Sequence, residues 1–88
     1  MNKNEIWSGI DSELRRAKKA FPTWPDHIVA RAGIVVEEAG ELMQAALQSK
    51  YQPTKKPRKE HIEAMKAEAI QTAAMAIRFL ENLKDDDK

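Results

Sequence analysis

Apolar residues recur along this chain at intervals of three and four in three long stretches, and none alternates with period two. The first stretch sets Ile6, Ile10, Leu14 and Ala17 on one face and predicts a helix over residues 3–20. Arg15, Arg16, Lys18 and Lys19 load its last turn with positive charge, as the helix dipole favours, and Pro22 and Pro25 end it. The second predicted helix covers 24–50, with Thr23 as N-cap, Pro25 early in the helix and Asp26 completing a capping-box variant. Its expected core stripe is Ile28, Ala32, Val35, Ala39, Leu42, Met43 and Ala46. The third covers 59–84, with Ile62, Met65, Ala69, Ala73, Ala76, Leu80 and Leu83 facing the core. Pro53 and Pro57 forbid a continuous helix between the last two and mark residues 50–58 as a loop. The tail, residues 85–88, is expected to fray, because acids at a helix C-terminus oppose its dipole. The expected fold is a single all-α domain over residues 1–88, a small helical hairpin or bundle subunit with three main helices.

Beside each core stripe of the last two helices runs a stripe that mixes apolar and acidic positions. Ile34, Glu38, Glu41 and Ala45 form one; Glu68, Gln71, Met75 and Phe79 form the other. Glu38 and Glu41 are three apart, as are Glu68 and Gln71, so each pair projects from one side of its helix. Glu41 lies ten residues before Tyr51 and Glu68 ten residues after Arg58. At ~1.5 Å per residue both sit roughly 15 Å from the loop if the helices fold back on each other, with Glu38 level with Gln71. Two carboxylates ~4 Å apart repel by ~4 kcal/mol at an effective dielectric near 20, so such a cluster needs a counter-charge. Oxygen donors with excess negative charge suit a hard cation, Mg2+ or Mn2+.

These residues carry a resemblance. Glu37-Glu38-x-x-Glu41 followed by Glu68-x-x-Gln71 resembles the EExxE…ExxD signature of the MazG-like all-α nucleoside triphosphate pyrophosphohydrolases. The flanks look similar too: Phe21-Pro22-Thr23-Trp24-Pro25, Gln44-Ala45-Ala46-Leu47, and Ala73 to Leu80. The likeness spans roughly residues 15–83. It implies a helical bundle of the four-helix type completed by a homodimer or homotetramer, and Mg2+-dependent hydrolysis of a nucleoside triphosphate to monophosphate and pyrophosphate, a nucleotide-pool house-cleaning activity. It also implies metal ligation by Glu38, Glu41, Glu68 and Gln71, with Glu37, Glu38 and Glu41 as the catalytic acids. Gln71 stands where the family expects Asp; a Gln carbonyl still ligates Mg2+, with one negative charge fewer. The alternative is a helical module that binds nucleotide or a protein partner without turnover.

Composition narrows the choice of chemistry. With 15 basic and 14 acidic residues the net charge is +1, so no overall field draws nucleic acid. The absence of Cys removes thiol and disulfide chemistry, and no P-loop pattern is present. Neither an apolar leader core nor a run near ~20 apolar residues occurs, which predicts a soluble cytoplasmic protein without membrane contact. Residues 50–59 carry five cations and no acid, a solvated connection or a lure for phosphates or RNA roughly 15 Å from the acidic cluster. Trp24, between two prolines, either stacks on a nucleobase or seals the bundle end, and Trp7 is expected to pack. His27 and His61 have no metal-ligand spacing and read as surface or capping residues, with His27 close enough to Trp24 to touch substrate. Arg78, two turns beyond Gln71, is a candidate for neutralising substrate phosphate.

Overall fold

Asn2 starts the first helix with a reciprocal cap. Its side chain accepts the Glu5 N–H at 2.8 Å, and the Glu5 carboxylate accepts the Asn2 N–H at 3.3 Å. The computed structural model describes residues 1–87, and it is all-helical: α1 (Lys3–Ala20), α2 (Ile28–Tyr51) and α3 (Arg58–Asn82), with no strand among the described residues. None of these helices is long and apolar enough to cross a membrane.

The second helix begins four residues later than its pattern predicts, and Thr23 does not cap it. His27 does, its Nδ1 accepting the Val29 N–H at 3.2 Å. Prolines push the residue before them out of the α region, so Pro22 and Pro25 hold the connection extended as far as Asp26. Asp26 contributes its backbone carbonyl instead of a cap, accepting from Arg31 at 2.8 Å. Arg31 is itself buried and also donates to the Asn82 carbonyl at 2.9 Å and to Asp87 at 2.8 Å. Of the tail, residues 85–87 are described; Asp87 folds back onto Arg31, and Lys88 lies outside the described residues.

α3 is the central element. It packs on α2 along one side and on α1 along another, whereas the α1 backbone stays clear of α2. Gly9 permits the approach of α1, since a Cβ there would meet Ile70 Cδ1 at 3.2 Å. Ile10, Leu14, Ala17, Ala74 and Met75 form the buried core, with Trp24, Ile34, Val35, Ile70 and Ile77 packed around it.

The core stripes expected on the last two helices are therefore only partly inside. Ala32, Ala39 and Met43 of α2, Ala69 and Leu80 of α3, and Leu83 just beyond it are exposed. The faces turned inward are the mixed ones: Ala45, Ser49, His61, Ala74, Met75 and Arg78 are buried, with Glu38, Glu68 and Gln71 half-buried among them. Choosing a core by hydrophobicity alone therefore finds only part of it: Val35 and Ala73 pack against the buried cluster, while the inner surface of the hairpin also takes in polar groups. Two single-residue expectations fall. Trp7, expected to pack, is 55% exposed. His61, expected at the surface or as a cap, is 1% exposed at the loop end of the hairpin, and its Nε2 has no partner. Nearby, Arg58 ties the helices together by donating to Ser49 Oγ at 2.6 Å.

Candidate active site

Because α1 and α2 both lean on α3 without meeting, a cleft of about 640 Å3 opens between them. Met75, Gln71 and Arg78 of α3 form its floor. Glu13, Arg16 and Ala17 of α1 make one wall, and Ile34, Glu37 and Glu38 of α2 the other. The extended connection, through Phe21, Thr23, Trp24 and Pro25, closes one end.

At the opposite end the acids converge as the hairpin arithmetic predicts. Glu38, Glu41 and Glu68 each offer a carboxylate oxygen, and these atoms lie within 4.8 Å of one another. Gln71 is level with Glu38: its facing amide atom is 3.1 Å from a Glu38 oxygen and 3.3 Å from a Glu68 oxygen. With the NH2 group turned inward, Gln71 donates to both carboxylates. Rotation by a half-turn presents its carbonyl oxygen instead, completing a set of oxygen donors suited to a hard divalent cation. An Asp at this position offers only acceptors when ionised and lacks the first option.

The electrostatics record the crowding. Burial, and then the charges of Glu41, Glu68, Glu37 and Glu13, push the Glu38 carboxyl above its ordinary value. Burial, followed by a hydrogen bond with Glu41 and the Glu41 charge, raises Glu68. A cation bound at this point would offset the repulsion among these charges.

The remaining candidates occupy different places. Trp24 packs against the core, as the sealing role requires, and its side chain also lines the cleft. Its Nε1–H is enclosed without an acceptor. Arg78 lies under the Trp24 ring, 4.5 Å from the centroid, and is 4% exposed. It donates to the carbonyls of Ala17, Phe21 and Thr23, so it ties the end of α1 and the connection to α3. His27 caps α2 and does not line the cleft. Glu37 lines it, exposed, one residue from Glu38.

Sequence reasoning missed Glu13 and Arg16. Glu13 is three residues after Ile10 and four before Ala17, so it interrupts the apolar stripe of α1, the same signal that singled out Glu38. Its side chain is only 16% exposed and holds Arg16, whose Nε–H donates to it at 2.9 Å. That bond keeps the Glu13 carboxyl below its ordinary value. The basic loop also comes nearer than expected. A turn in which Gln52 accepts from the Lys55 N–H folds the loop back. Half-buried Lys56 then lines, with Gln44 and Gln48, a second groove of about 320 Å3 that includes Glu41 and Glu68.

The chain matches no protein-family model, and neither curated proteins nor solved structures include a significant match to it.

Proposed function

We propose that this protein hydrolyses a nucleoside triphosphate to monophosphate and pyrophosphate with Mg2+ (or Mn2+) bound, as its resemblance to the MazG-like pyrophosphohydrolases implies. One observation carries the reading: Glu38, Glu41 and Glu68 bring three carboxylate oxygens within 4.8 Å of one another, and Glu38 at the same time lines a cleft that Trp24 also lines. Glu38, Glu41 and Glu68, with the Gln71 carbonyl, are the residues that hold the cation. The cation's contribution is charge: it neutralises phosphate oxygens and stabilises the leaving pyrophosphate. Glu37, at the edge of the cluster, orients the water and accepts its proton as the new phosphorus–oxygen bond forms and the bond to pyrophosphate breaks. Trp24 and the apolar side chains of Ile34 and Met75 offer a surface for the base. Replacing Trp24 by Phe would remove the enclosed, unbonded N–H, which typically costs ~1–3 kcal/mol, so packing alone does not account for the indole.

A second reading, a helical module that binds nucleotide or a partner without turnover, is favoured by Gln71 alone. Its amide satisfies Glu38 and Glu68 with no cation present.

Association completes the proposal. The apolar outer face of the hairpin, with Val36, Met43 and Leu80 each more than 60% exposed, is suited to a second copy in a homodimer or homotetramer.

Thermal melting with and without divalent cation tests the site. Millimolar Mg2+ or Mn2+ raises the melting temperature by mass action, and ~2.7 kcal/mol is expected at a hundredfold excess over the dissociation constant. Glu41→Gln removes that rise without unfolding the protein, and it removes pyrophosphate release from a panel of nucleoside triphosphates. A wild-type melting temperature indifferent to both cations sinks the proposal. A cation response without pyrophosphate release from any triphosphate selects the second reading.

A further inference from the structure

The cleft has two cations in its lining, Arg16 and Arg78. Position in the sequence favours Arg78 for an anionic ligand, since it follows Gln71 by two helical turns. The geometry reverses that choice. Arg78 is 4% exposed, stacked on Trp24 and directed at three backbone carbonyls of residues 17, 21 and 23. Drawing it into the cleft would strip those carbonyls and undo the end of α1.

Arg16 is in the opposite condition. Its side chain is 59% exposed on the α1 wall, across from Glu37 and Glu38. Of the five guanidinium N–H groups, Glu13 engages one on Nε and one on Nη2. Three remain, on a planar fork that Glu13 holds at the cleft and that matches the spacing of phosphate oxygens. The Glu13–Arg16 pair lies within one turn of one helix, so it survives while the rest of the fork is occupied.

We propose that Arg16, and not Arg78, grips the phosphate chain of the ligand in this cleft, with Glu13 as the residue that positions it. The proposal rests on the functional reading above only for the identity of the ligand as a polyphosphate. Arg16 would meet phosphate oxygens from the α1 side, opposite the carboxylates of α2 and α3 that would hold a cation and neutralise charge under that reading. A binding polyphosphate therefore bridges two helices whose backbones do not touch.

The test uses inorganic tripolyphosphate as its Mg2+ complex, which has no base and isolates phosphate contacts. Titration calorimetry compares wild type with Arg16→Gln, Arg16→Lys and Lys19→Gln, the last an exposed cation of α1 outside the cleft. Arg16→Gln is expected to weaken binding tenfold or more, Arg16→Lys to fall between, because an ammonium keeps the charge and loses the fork, and Lys19→Gln to change nothing. Equal affinity in wild type and Arg16→Gln overturns the assignment and leaves the functional reading intact. Equal losses in Arg16→Gln and Lys19→Gln overturn it too, because the effect is then general charge. Wild type that fails to bind tripolyphosphate also overturns it, and the melting response to Mg2+ then decides whether the functional reading falls as well.

Discussion

The two faces of the α2–α3 hairpin are built from opposite materials. The face turned inward buries the polar Arg31, Ser49, His61 and Arg78 beside the small or flexible Ala45, Ala74 and Met75, with Glu38, Glu68 and Gln71 half-buried. The face turned outward bears Val36, Met43, Leu47, Leu80 and Leu83, and includes an apolar groove lined by Val35, Val36, Phe79 and Leu80. A lone soluble chain arranges these the other way round, since apolar burial is the dominant favourable term in folding. The contrast teaches where the proposed cation and the proposed second copy would act: the first on the polar groups of the inner face, the second on the apolar outer face.

The sharpest way to break the comparison is to charge the outer face. Val36→Glu combined with Leu80→Glu is expected to remove ~3–6 kcal/mol of association energy, at ~1.5–3 kcal/mol for each side chain buried on assembly. Light scattering should then report a 10 kDa monomer where wild type gives a multiple of that mass. Wild type that is already a stable monomer at micromolar concentration ends the idea that a second copy covers this face.

Next in size is the buried Arg78. Arg78→Ala removes bonds to three carbonyls and the contact with Trp24, and a loss of ~3 kcal/mol is expected in chemical denaturation. A loss below ~1 kcal/mol would show that the connection is held by packing, and that this inward polar group is replaceable.

The smallest effect has the opposite sign. Glu68→Gln should stabilise the cation-free protein by ~1 kcal/mol, a rise of ~4–8 °C in melting temperature for a domain of this size. The pH dependence follows the same logic. Glu38 and Glu68 titrate higher folded than unfolded, so their contribution favours folding at low pH and is lost as pH rises through the raised values. Asp87 is held low, chiefly by its hydrogen bond to Arg31, and its contribution is lost as pH falls through its lowered value. Without cation, melting temperature should therefore climb as pH is lowered from neutral towards the glutamate range and drop again below it. A monotonic fall on acidification, in wild type and Glu68→Gln alike, would remove the repulsion ascribed to the inner face.

Local periodicity made the three helices legible, and the spacing of Glu38, Glu41, Glu68 and Gln71 made their convergence legible through nothing more than helix rise. The start of α2 was not, because His27 competes with Thr23 for the cap and the two prolines decide between them through backbone sterics. The orientation of the hairpin was only partly visible for another reason: a helical wheel ranks faces by apolarity, and here Val35 and Ala73 of the expected stripes pack on the core while Met43 and Leu80 face outward. The surroundings of Arg78 were hidden too. Its position on the wheel was right, but the carbonyls of residues 17, 21 and 23 that absorb it come from the far end of the chain.

That last feature bears on the order in which the protein is made. Arg78 reaches Ala17 and Phe21 across 61 and 57 positions, and α1 finds its backbone partner in α3 rather than in α2. A chain emerging from its N-terminus therefore completes its first helix long before anything exists for that helix to rest on. The α2–α3 turn closes a short loop and can form as soon as its second arm appears, whereas bringing α1 home closes a loop several times longer, at an entropic penalty that grows with the logarithm of its length. The wall that bears Glu13 and Arg16 is thus made before its support and seated after it.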